Sequence, residues 1–339
     1  MNKKITIAID AMGGENSPDK IIKAVSLFNK KNILKDDYVL NLFGDEKMIK
    51  SKLNDAEISN NKIIITHTES VISDEDTPLT AIKNSKNTSM WNCIQSQING
   101  NSDISLSAGN TGVLLVISRM ILKMINQVSK PALAGLWPNE KGMNVVLDLG
   151  ANIDCSDENL IDFAELGSAL YKSIFPNDQP YVSLLNVGSE EIKGTDLLKK
   201  AHKSLSDLSN DNNFIYKGYI EGDKIMDGNS NVIVTDGFTG NIALKTAEGT
   251  AKFITKNLKK SLTTISLIFS FFSLKKFKDK LDPRKYNGAI FLGLNGPVVK
   301  SHGGIDSMGF YYSINLCYKI VKGNLMTEIK KNLKHSKSG

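Results

Sequence analysis

The sequence predicts an α/β protein, a three-layer α/β/α sandwich around a mostly parallel sheet. Short β-rich runs alternate with helical patterns along the whole chain, which is typical of parallel strands joined by helices. These runs are apolar at nearly every position, so helices should cover both faces of the sheet. The chain has 339 residues, of which 41% are hydrophobic and 23% charged. This length and composition are sufficient for a large buried core.

The predicted strands follow one another at intervals that leave room for a helix between them. They cover residues 5–10, 38–44, 63–68, 104–109, 145–150, 181–188 and 232–237, and the alternation resumes at 289–292. The first helix has a start signal, with Ser17 as its cap and Pro18 at its first position. We find no internal repeat, so we predict one large domain over residues 1–330. It carries a basic, apolar helical insertion at about 256–285 and is followed by a basic tail, 331–339.

Cysteine content and apolar run lengths indicate a cytoplasmic protein. The three cysteines, Cys93, Cys155 and Cys317, are an odd number without paired spacing, which predicts neither a disulfide framework nor a zinc site. The N-terminal run 5–10 is too short for a signal-peptide core. The longest uncharged apolar stretch, 261–274, has 14 residues, whereas a spanning helix needs about 20.

The positive charge is concentrated in one segment. The net charge is +6, and residues 256–285 alone contain nine basic residues against two acidic ones. A general nucleic-acid surface would distribute basic residues over several elements, with aromatic residues between them. We therefore expect no nucleic-acid partner, and one acidic partner surface near this segment.

Six polar, glycine-rich loops follow predicted strands. They are Asp10-Ala-Met-Gly-Gly14, Ser107-Ala-Gly-Asn-Thr-Gly112, Asp148-Leu-Gly-Ala-Asn152, Asn186–Gly194, Thr235–Asn241 and Asn295–Gly304. In parallel sheets, ligands bind beyond the carboxyl ends of strands, where helix N-termini present backbone N–H groups. Such loops with lysine and asparagine resemble an anion cradle. Each glycine could instead serve only a tight turn, but six such loops together favour a binding site.

Common catalytic fingerprints are absent from the sequence. It lacks G-x-G-x-x-G after a strand, the Walker order Gly-Lys-Thr and the G-x-S-x-G elbow, so we expect no nucleotide, cofactor or serine acyl-enzyme. Cys93 fits a packed thiol in a helix, and Cys155 lacks an activating neighbour in sequence. The aspartates of the loops are scattered singly and are expected to cap helices, so no metal site is predicted.

Taken together and in this order, the six loops resemble the PlsX family of bacterial phosphate acyltransferases. The resemblance runs from Ile5 to about Ile320. It implies a fold similar to isopropylmalate dehydrogenase and phosphotransacetylase, and a homodimer that touches the membrane peripherally. It also implies transfer of a long-chain acyl group from acyl carrier protein to inorganic phosphate. The acyl phosphate would then pass to a membrane glycerol-3-phosphate acyltransferase for phospholipid synthesis.

Two other functions remain open from the residues. One is a short-chain phosphotransacylase that uses acyl-coenzyme A, and the other is a non-catalytic protein that binds membrane surfaces through the basic segment. Phosphate is already an anionic nucleophile at neutral pH, so a site for acyl transfer to it needs mainly cations and amide donors.

Residue type and position suggest roles for the polar loop residues. We expect Lys193 and Lys300, with Asn110 and Asn241, to line the phosphate and acyl-carbonyl site. Asp236 would orient donors, and His302 would donate a proton to the leaving thiolate. The remaining substrate-binding candidates are Thr111, Asn152 and Gly194.

The basic segment also predicts a membrane contact. Apolar residues recur there at helical spacing between flanking lysines, as in helices that lie in the membrane interface. The contact residues would be Leu262, Ile265, Phe269, Phe271 and Phe272. Packing of the same stripe across a homodimer interface is the alternative.

Overall fold

The computed structural model describes residues 4–32, 37–55, 62–73, 75–208, 213–261 and 282–335. Its strands are β1 (Ile5–Asp10), β2 (Tyr38–Gly44), β3 (Ile63–His67), β4 (Ile104–Ser107), β5 (Ala132–Pro138), β6 (Met143–Leu147), β7 (Tyr181–Leu185), β8 (Ile215–Ile220), β9 (Val232–Val234), β10 (Ala289–Leu292) and β11 (Val298–Lys300). Its helices are α1 (Asp19–Lys31), α2 (Glu46–Asp55), α3 (Pro78–Asn84), α4 (Ser89–Ile98), α5 (Thr111–Leu122), α6 (Asp157–Ile174), α7 (Asp196–Leu208), α8 (Gly237–Ser261), α9 (Ser307–Lys322) and α10 (Leu325–His335).

The described strands form one sheet in the order β3-β2-β1-β4-β11-β10-β5-β6-β9-β7-β8. Strands β1, β2, β3, β4 and β11 are parallel to one another. Strand β10 is antiparallel to both β11 and β5, and β5 is antiparallel to β6. Strands β6, β9, β7 and β8 are again parallel. The mostly parallel sheet is therefore confirmed, and three antiparallel pairings in its centre reverse the direction of its second half.

Because of this reversal, the loops that follow the strands lie on two opposite sides of the sheet, at the two ends of its strands. We call these two sides the first edge and the second edge. The first edge carries the carboxyl ends of β1, β4 and β11, and the second edge carries those of β6, β7 and β9. The sequence predicted a single edge, because alternating apolar runs indicate strands but do not reveal the antiparallel pair β5–β10.

Helices cover both faces of the sheet, which confirms the three-layer sandwich. On one face, Ile7 and Ile9 of β1 lie in a core cluster with residues of α1, α6, α9 and α10. On the other face, Val113 and Ile117 of α5 pack with Val298 of β11. Helix α8 packs against Val146 and Trp137 on the same side. Alternate strand residues thus enter opposite layers, as the period of a pleated strand requires.

The predicted strand bounds agree with the structure for some strands and not for others. Strands β1, β2 and β10 have the predicted bounds, whereas β5, β8 and β11 were not predicted. The start predicted for α1 is wrong by one residue: the helix begins at Asp19 after Pro18, and Ser17 Oγ donates to the Gly13 carbonyl at 2.6 Å instead of capping it.

The described residues cover only part of the predicted insertion and of the predicted tail. Residues 256–261 continue α8, residues 262–281 lie outside the described ranges, and α10 extends to His335 into the predicted tail. The division into a domain, an insertion and a tail stays a prediction. No helix in the described part of the chain is both long and apolar enough to cross a membrane.

Candidate active site

At the first edge, a buried aspartate joins two loops. Asp10 is 1% exposed and accepts hydrogen bonds from Ser107 Oγ at 2.7 Å and from the Met12 N–H at 3.2 Å. Burial raises the pKa of Asp10, and the hydrogen bonds from Ser107 and Ser89 oppose this rise. A Cβ at Gly13 would lie 2.6 Å from Asp10 Oδ2, so only glycine fits there. The loops after β1 and β4 are therefore fixed relative to each other.

The side chains of two lysines donate to backbone carbonyl groups of the loops after β4 and β11. Lys300 Nζ donates to the Ala108 carbonyl at 3.4 Å and to that of Ser301. Lys20 is buried, and its Nζ donates to the Gly303 carbonyl. These contacts hold positive charge among the ends of β1, β4 and β11. Lys20 was not predicted, because a lysine near the start of an amphipathic helix is usually on its solvent face.

His302 follows Lys300 at this edge. The Gly304 N–H donates to His302 Nδ1 at 3.1 Å, so the neutral ring carries its proton on Nε2 as a hydrogen-bond donor. Burial lowers the pKa of His302, as do the charges of Lys300, Lys245 and Lys252, while Glu248 opposes them. At neutral pH the imidazole is therefore mainly uncharged.

The N-terminus of α5 completes the first edge. Asn110 is its N-cap, and Asn110 Oδ1 accepts from the Val113 N–H at 3.2 Å. Asn110 Nδ2 lies 3.4 Å from the Asp76 carbonyl oxygen. Thr111 is exposed at the first position of the helix. The structure thus brings four predicted residues, Asn110, Thr111, Lys300 and His302, to one edge, beside a helix end that favours anions.

At the second edge, one carboxylate organises the loop after β6. Within the described residues, Asp148 accepts N–H bonds from Leu133, Gly150 and Ala151 and two from Asn152, at 2.8–3.2 Å. Asp148 is 0% exposed, and burial raises its pKa against these donors. The sequence indicated only a helix-capping role for this residue.

Three predicted residues lie around Asp148 and make structural contacts. Asn152 Nδ2 donates to the Pro131 carbonyl at 2.6 Å and to Asp148 Oδ2 at 2.8 Å, which uses both of its hydrogens. Asn241 Nδ2 donates to the Leu149 carbonyl at 3.2 Å. Asp236 caps α8, since its two oxygens accept from the Thr239 N–H and Oγ1 at 2.8 and 2.7 Å. The Asn152 N–H also donates to Asp148 Oδ2, so its backbone and side-chain hydrogens are directed to groups of the protein, and its predicted phosphate contact stays a prediction.

The loop that carries Lys193 and Gly194 closes on itself. Asn186 Nδ2 donates to the Lys193 carbonyl at 3.3 Å, and the Lys193 N–H donates to the Glu190 carbonyl at 3.0 Å. Gly194 has φ +87°, and a Cβ there would lie 2.4 Å from Asn186 Oδ1. Glycine is required at this position, while the Lys193 side chain is exposed.

Helix α8 begins at the second edge and carries charges that act on His302 at the first edge. It starts after β9 at the second edge and has 25 residues, or about 37 Å at 1.5 Å per residue. Asn241, Lys245, Glu248 and Lys252 recur at spacings of four and three, so they share one face. The charges of the last three act on His302. The sequence predicted His302 and Asn241 as separate site residues. The spacing of the four α8 residues could have indicated that they share one face of the helix.

Two of the three cysteines, Cys93 and Cys317, are buried, and Cys155 is partly buried. Cys93 is buried beside Ala8 and Phe43, which confirms a packed thiol, and burial raises its pKa. Burial also raises the pKa of the partly buried Cys155. Among the described residues, no three His, Cys, Asp or Glu side chains are grouped closely enough to hold a metal ion. The predicted membrane-contact residues lie outside the described ranges.

Comparison with known proteins assigns the chain to a family. The family described as "Fatty acid synthesis protein" matches residues 5–328. A phosphate acyltransferase of Pelagibacter ubique is 53% identical over 338 residues, covering 98% of this chain and 100% of that protein. The chain belongs to this family, which confirms the resemblance to PlsX proteins, and it is an acyltransferase.

Solved structures confirm the fold class. A phosphotransacetylase from Staphylococcus aureus superposes with a TM-score of 0.63 at 16% identity, covering 94% of each chain. A 4-hydroxythreonine-4-phosphate dehydrogenase from Klebsiella pneumoniae gives a TM-score of 0.56 at 12% identity, covering 94% of this chain and 99% of that one. The fold is thus shared with phosphotransacetylases and with dehydrogenases of this α/β type.

Proposed function

We propose that this protein transfers a long-chain fatty acyl group from acyl carrier protein to inorganic phosphate. The product would be an acyl phosphate that supplies phospholipid synthesis. The observation that carries the proposal is the first edge, where Lys300, the N-terminus of α5 and the Nε2–H of His302 lie together. The naming of relatives as phosphate acyltransferases supports the choice of phosphate as acceptor.

The proposed reaction needs no nucleophile from the protein. A phosphate oxygen attacks the thioester carbonyl carbon, a C–O bond forms, and the C–S bond breaks with departure of the thiolate. Lys300 and the amides of α5 hold the phosphate and compensate its charge. Because Nδ1 of His302 is occupied by Gly304, its Nε2–H is the donor that faces the substrate. It would stabilise the thiolate, which finally takes a proton from the acid form of phosphate or from water.

The second edge has a different proposed part. Asn152 and Asp236 hold the loops after β6 and β9, as their internal hydrogen bonds suggest. Asn241, Lys193 and Gly194 would then contact the acyl-carbonyl end of the substrate, with Lys193 as the cation. Helix α8 would bring this part of the site towards His302.

The simplest test is the reaction itself. Purified protein should form acyl phosphate from long-chain acyl carrier protein and phosphate, measured by conversion to the hydroxamate, without added nucleotide, nicotinamide or metal. A short-chain phosphotransacylase is the second candidate, which the fold shared with phosphotransacetylases favours. Matched carrier-protein and coenzyme A thioesters of two chain lengths separate the two functions. Activity only with short coenzyme A thioesters would contradict the proposal.

We further propose a cytoplasmic homodimer that touches the membrane, where it would meet the glycerol-3-phosphate acyltransferase. The contact would be made by Leu262, Ile265, Phe269, Phe271 and Phe272, whose sequence pattern supports it. Replacing the three phenylalanines with serine should release the protein from anionic liposomes in a sedimentation assay, while it stays dimeric and active on dissolved substrate. A monomeric variant, or one that stays bound to liposomes, would contradict this assignment.

A further inference from the structure

One face of α8 carries a row of lysines. Lys245, Lys252, Lys256 and Lys260 are separated by seven, four and four residues, which places them on one side of a helix that turns about 100° per residue. We call these four residues the α8 lysine stripe. The Lys245 side chain is 58% exposed, and the other three residues are exposed. Between Lys245 and Lys260 the sequence has one acidic residue, Glu248, which pairs with Lys245 at 2.9 Å.

The inner end of the stripe lies at the candidate active site. Lys245 and Lys252 lie near enough to His302 for their charges to lower its pKa. Lys256 and Lys260 continue the same face outwards along the helix. On the other side of α8, Ala243 and Ala247 pack against a core cluster that contains Trp137 and Leu149. The packed face fixes the direction of the stripe relative to the site.

We propose that the α8 lysine stripe is the docking surface for the acyl donor, a small acidic carrier protein. This proposal rests on the proposed function, since it concerns how the thioester reaches His302. A row of exposed cations complements an acidic protein surface and accelerates its association. The row also points from the protein surface towards the reacting groups. A carrier seated on Lys256 and Lys260 could therefore extend its thioester arm along Lys252 and Lys245.

The direction of the stripe favours a carrier protein over a bilayer. Three large apolar residues of the same stretch are exposed, Phe253, Ile254 and Leu258. Phe253 directly follows Lys252 and lies on the flank of the stripe, about 100° away, whereas Ile254 and Leu258 each lie two residues beyond a stripe lysine. Two residues correspond to about 200°, which is the opposite side of the helix. A membrane that covered Ile254 and Leu258 would leave the stripe facing away from it.

The test compares two charge-reversed variants of the full chain. In K256E/K260E, the affinity for fluorescently labelled acyl carrier protein, measured by anisotropy, should fall at least tenfold at low salt. The ratio of kcat/KM for the carrier thioester to that for the matching N-acetylcysteamine thioester should fall by a similar factor. The matched control, K199E/K203E, reverses two exposed lysines of α7 and should keep both quantities near those of the wild type.

Several outcomes would overturn the proposal. Equal carrier affinity in wild type and K256E/K260E would do so, as would equal losses in K256E/K260E and K199E/K203E. A change of oligomeric state in light scattering would assign the stripe to contact between copies instead. Release from anionic vesicles with unchanged carrier affinity would assign it to the membrane. If the carrier binds through the stripe but wild type forms no acyl phosphate, the proposed function fails while the docking surface stands.

Discussion

The two edges of the sheet use their polar residues in different ways. At the first edge, Lys300 and Lys20 end on carbonyl oxygens, and His302 keeps a donor directed outwards. At the second edge, Asp148 accepts from Asn152 and from the Leu133 N–H, and Asn152 also donates to the Pro131 carbonyl. Carbonyl groups orient a cation but do not neutralise it, whereas a carboxylate surrounded by N–H groups mainly fixes the backbone. The first edge therefore provides charged groups for the reaction, whereas the second edge mainly fixes the backbone of its loops.

The largest expected effect is a difference in kcat/KM between variants of two lysines, one from each edge. Lys300→Met should lower kcat/KM for phosphate about a hundredfold, because a partly buried cation supplies about 3 kcal/mol of transition-state stabilisation. Lys193→Met should lower it no more than about tenfold, since the exposed charge is screened by solvent and salt. Initial rates at varied phosphate concentration measure both, with thermal unfolding as the folding control. Equal losses in the two variants would contradict this contrast between the edges.

Replacing each of the two buried aspartates should lower the free energy of unfolding by a different amount. Asp148→Asn places an NH₂ group opposite N–H donors and should cost about 3 kcal/mol of unfolding free energy. Asp10→Asn should cost about 1 kcal/mol at pH 7, because the hydroxyls around Asp10 can rotate to accept from the new amide. Urea unfolding measures both variants against the wild type. A larger cost for Asp10→Asn would show that the first edge depends more on its carboxylate.

The cost of Asp10→Asn should also depend on pH. Because the pKa of Asp10 is raised in the folded protein, the folded state binds this proton before the unfolded state does as the pH falls. The contribution of Asp10 to stability therefore increases from pH 7 towards its unfolded pKa of about 4 and is lost as the pH rises. Since Asn does not titrate, the destabilisation by Asp10→Asn should be larger at pH 5 than at pH 7. An equal cost at both pH values would contradict the raised pKa.

Much of the first edge could be predicted from the sequence. Strand β1 has a long apolar run followed directly by a glycine loop, so both its bounds and its loop were evident. Asn110, Thr111 and His302 lie next to glycines, and Lys300 lies two residues before His302. All four follow or end strands, where parallel sheets place ligands. Their common edge follows from the parallel pairing of β4 with β11.

The division of the site between two edges could be predicted only in part. Strand β11 has three residues, and β5 contains Gly135 and ends at Pro138, so neither gave a strong strand pattern. Without them, the reversal of direction between the halves was invisible. The roles of Asp148 and Lys20 depend on partners distant in sequence, namely the Leu133 N–H and the Gly303 carbonyl. A spacing pattern carries no information about such contacts.

The smallest expected effect tests whether α8 connects the edges. Lys245→Gln should raise the pKa of His302, because it removes a cation that disfavours the imidazolium. The pKa should remain below the ordinary value, since burial and Lys300 still act. Glu248→Gln should lower it, because it removes the opposing negative charge. NMR titration of histidine-labelled protein measures both, with His302→Gln to assign the signal among four histidines.

The paired variants decide between a connected site and two separate edges. Opposite shifts of the His302 titration would mean that a helix rooted beside Asp148 sets the protonation of a group at the other edge. The acid limb of kcat/KM should then move with the His302 pKa in each variant, because protonation of Nδ1 displaces the Gly304 N–H and adds a charge. An unchanged titration in both variants would mean that α8 acts on the second edge alone. Substrate would then have to bridge the edges without help from this helix.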